Sequence, residues 1–89
     1  MRTILITGSA KRLGAAIARS LAADGHRIAL HFRASRREAE ETRRVIIDAG
    51  GEAALFENAM ASLADAEHLV EKIISKFGRL DTRINNAGV

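Results

Sequence analysis

The short β-branched run Thr3-Ile4-Leu5-Ile6-Thr7 leads directly into Gly8-Ser9-Ala10-Lys11-Arg12-Leu13-Gly14. Glycines, cations and a hydroxyl packed into such a junction are the residue types that hold a pyrophosphate. Gly8 is suited to the tight turn, and Gly14 lets the following helix pack close to the strand. The anion's charge then rests on amides at the helix N-terminus. Two glycines six residues apart are weak evidence alone; their place within a βαβ unit of about thirty residues strengthens it. A second polar group, Asn85-Asn86-Ala87-Gly88, stands at the end of the last strand candidate, Leu80–Asn85. Asparagines at the carboxyl end of a parallel sheet can bond a neighbouring strand or a ribose, although taken alone the motif is better read as an ordinary Asn/Gly turn.

Other chemistries find little support. The sequence has no cysteine, which removes disulfides, thiolate nucleophiles and Cys-based zinc sites. His26 and His68 are expected to be solvated, and His31, near the cluster, to pack against a helix rather than perform chemistry. Asp65, Glu67 and Glu71 read as helix surface, so no metal site is expected. Residues 1–44 carry ten Arg/Lys against four Asp/Glu, whereas residues 45–89 carry four against seven. A basic first half calls for an anionic partner. With three Phe and no Tyr or Trp there is little to stack bases on, so nucleic acid is not expected. No apolar run approaches the ~18–20 residues that span a bilayer, and the opening apolar run is too brief for a secretory signal. A cytoplasmic location without membrane contact is the expectation.

The 89 residues allow one domain. Strands are expected at Thr3–Thr7, Arg27–Phe32, Ala53–Phe56 and Leu80–Asn85. Between them lie three helices. Arg12–Asp24 places Leu13, Ile17 and Leu21 on one stripe. Ser35–Ala49 is highly charged, with Ala39, Val45, Ile46 and Ala49 as its apolar line and Arg36/Glu40, Arg37/Glu41 and Glu40/Arg44 as spaced pairs. The third, N-capped by Ser62, turns Ala66, Leu69, Val70, Ile73, Ile74 and Phe77 to one face. The order β-α-β-α-β-α-β predicts an α/β fold, a partial Rossmann (doubly wound) sheet with parallel strand order 3-2-1-4.

Taken together, Thr7-Gly8 with Gly14, the Asn85-Asn86-Ala87-Gly88 motif and its lead-in Gly78-Arg79-Leu80-Asp81 resemble the short-chain dehydrogenase/reductase family. Ser9 to Gly14 followed by Leu30-His31-Phe32-Arg33-Ala34-Ser35 is closest to its pteridine reductase branch. The resemblance covers residues 1–89 as about the first third of a family domain, and it implies an NADP(H)-binding Rossmann segment. The implied cofactor-binding residues are Gly8, Ser9, Lys11, Arg12, Leu13, Gly14, His31, Arg33, Ser35, Ala59, Met60, Asn86, Ala87 and Gly88. No acid stands before Glu38 after the second strand, where an NAD-specific unit places one to hold the ribose. Arg33 and the Ser35 hydroxyl could pair with a 2′-phosphate, with Lys11 as a further cation, so NADP(H) is expected over NAD(H).

Four departures from the family pattern stand out. Arg12 occupies the usual middle glycine position, and Ala59-Met60 replaces an acidic–aliphatic pair beside the adenine. Thr82 and Arg83 fall where the fourth strand is normally apolar, and a buried unpaired guanidinium would be costly. The family's catalytic Tyr and Lys lie beyond the Asn85-Asn86-Ala87-Gly88 motif, so no catalytic residue is assigned here. The implied activity is an NADP(H)-dependent oxidoreductase acting on a pteridine or ketone. A non-catalytic dinucleotide-binding fragment and a truncated inactive reading frame are the alternatives. Self-association through an open fourth-strand edge is also expected.

Overall fold

A computed structural model describes residues 1–86. Its elements run β1 (Thr3–Ile6), α1 (Arg12–Ala23), β2 (Arg27–Phe32), α2 (Arg36–Asp48), β3 (Glu52–Glu57), α3 (Leu63–Phe77) and β4 (Thr82–Ile84). All strand pairs are parallel, in the order β3-β2-β1-β4. The expected doubly wound topology is present.

Side-chain alternation splits the core across the sheet. On one face Ile4, Ile6, Ile28 and Leu30 meet Ala18, Ala22 and Ile46 from α1 and α2. On the other, Leu5, Ala29 and Phe56 meet Leu69 and Ile73 of α3. Because both faces of β1 and most of β2 are covered, these strands read as continuous apolar runs.

Two helices present a different stripe from the one their large residues suggest. In α1 the buried positions are Gly14, Ala15, Ala18 and Ala22, while Leu13 is 61% exposed and Ile17 and Leu21 are half-buried. Small residues let this helix approach the sheet and α2 closely, so the bulky ones move to the margin. In α2 the inward residues are Ala39, Thr42 and Ile46, and Val45 faces out. Of the spaced pairs, Arg36–Glu40 forms at 3.8 Å, and among the described residues the other two do not.

The entry to β4 is a polar clamp. Gly78 ends α3 in the left-handed region at φ 85, its N–H donating to the Ile74 carbonyl. The Asp81 backbone N–H donates to the Thr3 carbonyl, and its carboxylate accepts from the Thr3 N–H, both at 2.9 Å. Arg79 binds the same carboxylate at 2.6 Å. Leu80 packs against the α3 cluster and Asp81 is taken up by this clamp, so β4, Thr82–Ile84, is shorter than the expected Leu80–Asn85. Arg83 is exposed and donates from Nε to Asn85 Oδ1, so no guanidinium is buried. Thr82 and Ile84 are half-buried, and Ile84 adds to the core beneath α1.

Arg79, and then the Thr3 amide, hold the Asp81 carboxyl below the usual carboxylate range. A depressed folded pKa gives stability that is present above the unfolded value and lost as pH falls through the folded one. Denaturation midpoints of the parent and Asp81→Ala should therefore converge as pH drops through the carboxylate range. A gap that does not change with pH would contradict this role for Asp81.

Candidate functional site

The turn between β1 and α1 is fixed from four directions. Gly8 sits at φ 62, a conformation that strains any residue with a Cβ. Its N–H donates to His31 Nδ1 at 3.0 Å, and its carbonyl accepts from Asn86 Nδ2 at 3.1 Å. Ser9 is fully buried, and both its N–H (2.9 Å) and its Oγ (3.3 Å) donate to the His31 carbonyl. The Ala10 carbonyl accepts from Thr42 Oγ1 at 2.9 Å. Across the sheet, the Asn86 N–H donates to Thr7 Oγ1 at 2.9 Å.

Gly14 closes the arrangement. A methyl group there would stand 2.5 Å from the Gly8 carbonyl oxygen, 2.6 Å from Asn86 Nδ2 and 2.9 Å from the Ser9 Cα. No side chain fits, so the helix N-terminus is drawn against the turn.

That N-terminus lacks what a helix start normally has. Lys11 is the N-cap, and an ammonium has no acceptor with which to cap the first amides. There is no acid in the first turn. Instead Lys11 and Arg12, both exposed, stand at the positive end of the helix dipole, where cations are unfavourable. Arg12 also takes φ 57, which a glycine would adopt without strain. Uncapped amides and two adjacent cations at a helix start are groups that can bind an anion.

Beside this turn, the end of β2 supplies further polar groups. Arg33 is exposed and makes no ion pair or hydrogen bond among the described residues. Ser35 precedes α2 without using its hydroxyl as a cap. Arg36 is committed elsewhere: it pairs with Glu57 at 2.8 Å and stacks 5.0 Å from the Phe32 ring centroid. Ala59 is exposed and Met60 half-buried against the α3 core. Ala87 and Gly88 lie outside the described residues.

Three sequence expectations need correction. His31 is 1% exposed and does not simply pack against a helix: its Nε2 is 2.9 Å from the Asn58 carbonyl while Nδ1 takes the Gly8 amide. Ser9 faces inward, because its hydroxyl is spent on the His31 carbonyl, so it shapes the turn. His26 is not merely solvated, since Nδ1 accepts the Arg2 N–H at 3.1 Å. Two contributors were missed. Asn58 accepts the Met60 N–H at 2.8 Å and donates to the Asp65 carbonyl at 3.0 Å, ordering the loop that carries Ala59. Its signal was an Asn two residues ahead of the amide it binds. Thr42 was legible as a polar residue on the buried stripe of α2, which demands a partner.

The pattern of the short-chain dehydrogenases matches residues 2–89. The chain belongs to that family. It is 36% identical over 88 residues to an uncharacterized oxidoreductase of Methylorubrum extorquens, covering 99% of this chain and 36% of that one. Among solved structures, a dehydrogenase of Burkholderia cenocepacia with bound NADP is 40% identical, with a TM-score of 0.89 over 94% of this chain and 33% of that one. A metagenomic short-chain oxidoreductase in complex with NADP is 32% identical, with a TM-score of 0.90 over 99% of this chain and 39% of that one. The chain thus spans about a third of the length of these short-chain dehydrogenase relatives.

Two substitutions test the geometry of the turn. Arg12→Gly should raise stability by about 1 kcal/mol, since left-handed non-glycine residues cost roughly 1–3 kcal/mol and glycine returns part of that in entropy. Gly14→Ala should cost about 1–3 kcal/mol through overpacking. Chemical denaturation measures both, and the opposite signs would mean the turn is not built as described.

Proposed function

We propose that this chain is the cofactor-binding segment of an NADP(H)-dependent oxidoreductase. In this reading the pyrophosphate lies against the first turn of α1, beside Lys11, Arg12 and Leu13, where Gly14 permits close approach. The 2′-phosphate pairs with Arg33 and the Ser35 hydroxyl. Ala59 and Met60 flank the adenine by apolar and backbone contact, while Asn86 supports the turn through the Gly8 carbonyl. The observation that carries the reading is the set of exposed cations, Lys11, Arg12 and Arg33, with no carboxylate in the segment from the end of β2 to Glu38.

The nicotinamide supplies the hydride chemistry when bound. The residues here bind and orient; proton delivery to a substrate oxygen belongs to an acid–base group, which typically contributes ~10²–10⁴-fold. These 89 residues contain no tyrosine, so the chain assayed alone is expected to bind dinucleotide without turnover. The finer reading, a pteridine or ketone substrate, rests on the resemblance of Ser9 to Gly14 followed by Leu30 to Ser35 to the pteridine reductase branch. A cytoplasmic location and association through the outer edge of β4 complete the proposal. That edge has no partner strand among the described residues.

Calorimetric titration should give NADPH tighter than NADH by about tenfold, the scale of one charge-assisted bond, and Arg33→Ala should remove the difference. Equal affinities, or tighter NADH, would contradict the assignment. Ultracentrifugation across a wide concentration range should show self-association, and a strict monomer would remove β4 as an interface.

A further inference from the structure

His31 has no exposed surface with which to meet a ligand, yet its ring joins two loops at the site. Because Gly8 N–H donates to Nδ1, that nitrogen carries no proton, and because Nε2 faces the Asn58 carbonyl, the proton sits there. The bonds select one neutral tautomer. We propose that His31 is a positioning residue for dinucleotide binding: neutral, it holds Gly8 and the start of α1 in place, and protonation at Nδ1 releases them. The proposal rests on the dinucleotide-site reading above.

Protonation would set two N–H donors against each other across 3.0 Å. Nε2 would keep its bond, so the ring remains anchored to Asn58 and the conflict falls on Gly8. Ser9 is doubly tied to the His31 carbonyl and cannot follow. Motion of Gly8 would in turn disturb its carbonyl, which accepts from Asn86 and lies closest to Gly14. The first turn of α1 is thereby coupled to the charge on one buried ring.

Charged groups on the surrounding elements are Lys11 and Arg12 in the turn, Arg33 after β2, Arg36 on α2, Glu57 on β3 and Asp65 on α3. Arg36 and Glu57 are paired to each other, and Asp65 is used by the Ala61 and Ser62 region ahead of α3. Burial is the main influence on His31 and lowers its pKa from the ordinary value of 6.5, partly opposed by the Asn58 carbonyl. Binding therefore favours the neutral ring, is strongest above that pKa and weakens as pH falls. One linked proton sets a limiting slope of about tenfold per pH unit.

NADPH and NADH should be titrated calorimetrically over about pH 5 to 8 with the parent, His31→Asn and His31→Leu. NADH is included because a 2′-phosphate itself titrates near pH ~6. Asparagine Oδ1 can accept the Gly8 amide but does not titrate, whereas leucine cannot accept at all. Parent affinity for both dinucleotides should fall with acid, and His31→Asn should bind within a few-fold of the parent at the alkaline end without sharing the fall. His31→Leu should be weak throughout. In the ligand-free parent, the Gly8 amide resonance should follow the His31 ring titration, a readout that survives if the leucine variant fails to fold. Parallel profiles for parent and asparagine variant, or a Gly8 amide blind to the ring, would overturn the proposal. Absence of dinucleotide binding at every pH would instead defeat the functional reading, with the Gly8 resonance still deciding the linkage.

Discussion

The contact between Gly14 and the Gly8 carbonyl is the constraint around which the rest is arranged. It allows α1 to begin directly against the tip of β1, which brings the helix's first amides to the carboxyl end of the sheet. So close an approach survives only if the turn keeps one shape. Four elements supply that: β2 through His31, α2 through Thr42, the segment after β4 through Asn86, and α1 through its missing side chain. The bonds satisfy backbone groups of the half-buried Gly8 and the buried Ala10, where an unpaired group has a cost approaching that of a lost hydrogen bond.

The same constraint explains the composition of the helices. A helix held this near the sheet cannot carry large residues inward, which is why alanines fill the interior of α1 and Leu13 is left at the mouth of the site. Charge follows a parallel logic. Lys11 and Arg12 sit where the helix dipole disfavours them, and Arg12 holds a backbone conformation better suited to glycine. Strain and unfavourably placed charge are thus concentrated in two adjacent residues at the start of α1.

The fold was legible because periodicity switches cleanly between short apolar runs and amphipathic stretches, and topology follows from that alternation. The glycine turn was legible because Gly8 and Gly14 have backbone reasons to be there. What escaped was long-range and polar. Nothing local says that His31 faces Gly8, twenty-three residues away, or that the Asp81 carboxylate binds the Thr3 amide. Helix faces were misread where large residues outvoted small ones, as in α1, or where Val45 outvoted Thr42. Arg83 looked costly only on the assumption that β4 is buried, and its side chain turns to solvent.

Amide chemical-shift mapping with NADP⁺ tests the central claim most directly, because the surface offers competing places. Grooves of about 650 and 800 Å³ lie along β3, lined among others by Lys72 and Lys76 or by Arg43 and Arg44. The account predicts the largest perturbations at Lys11, Arg12, Leu13 and Gly14, with a second group at Arg33 to Ser35 and at Ala59. Perturbations centred on Leu55, Phe56, Arg43 and Lys76, with the β1–α1 turn unmoved, would contradict it.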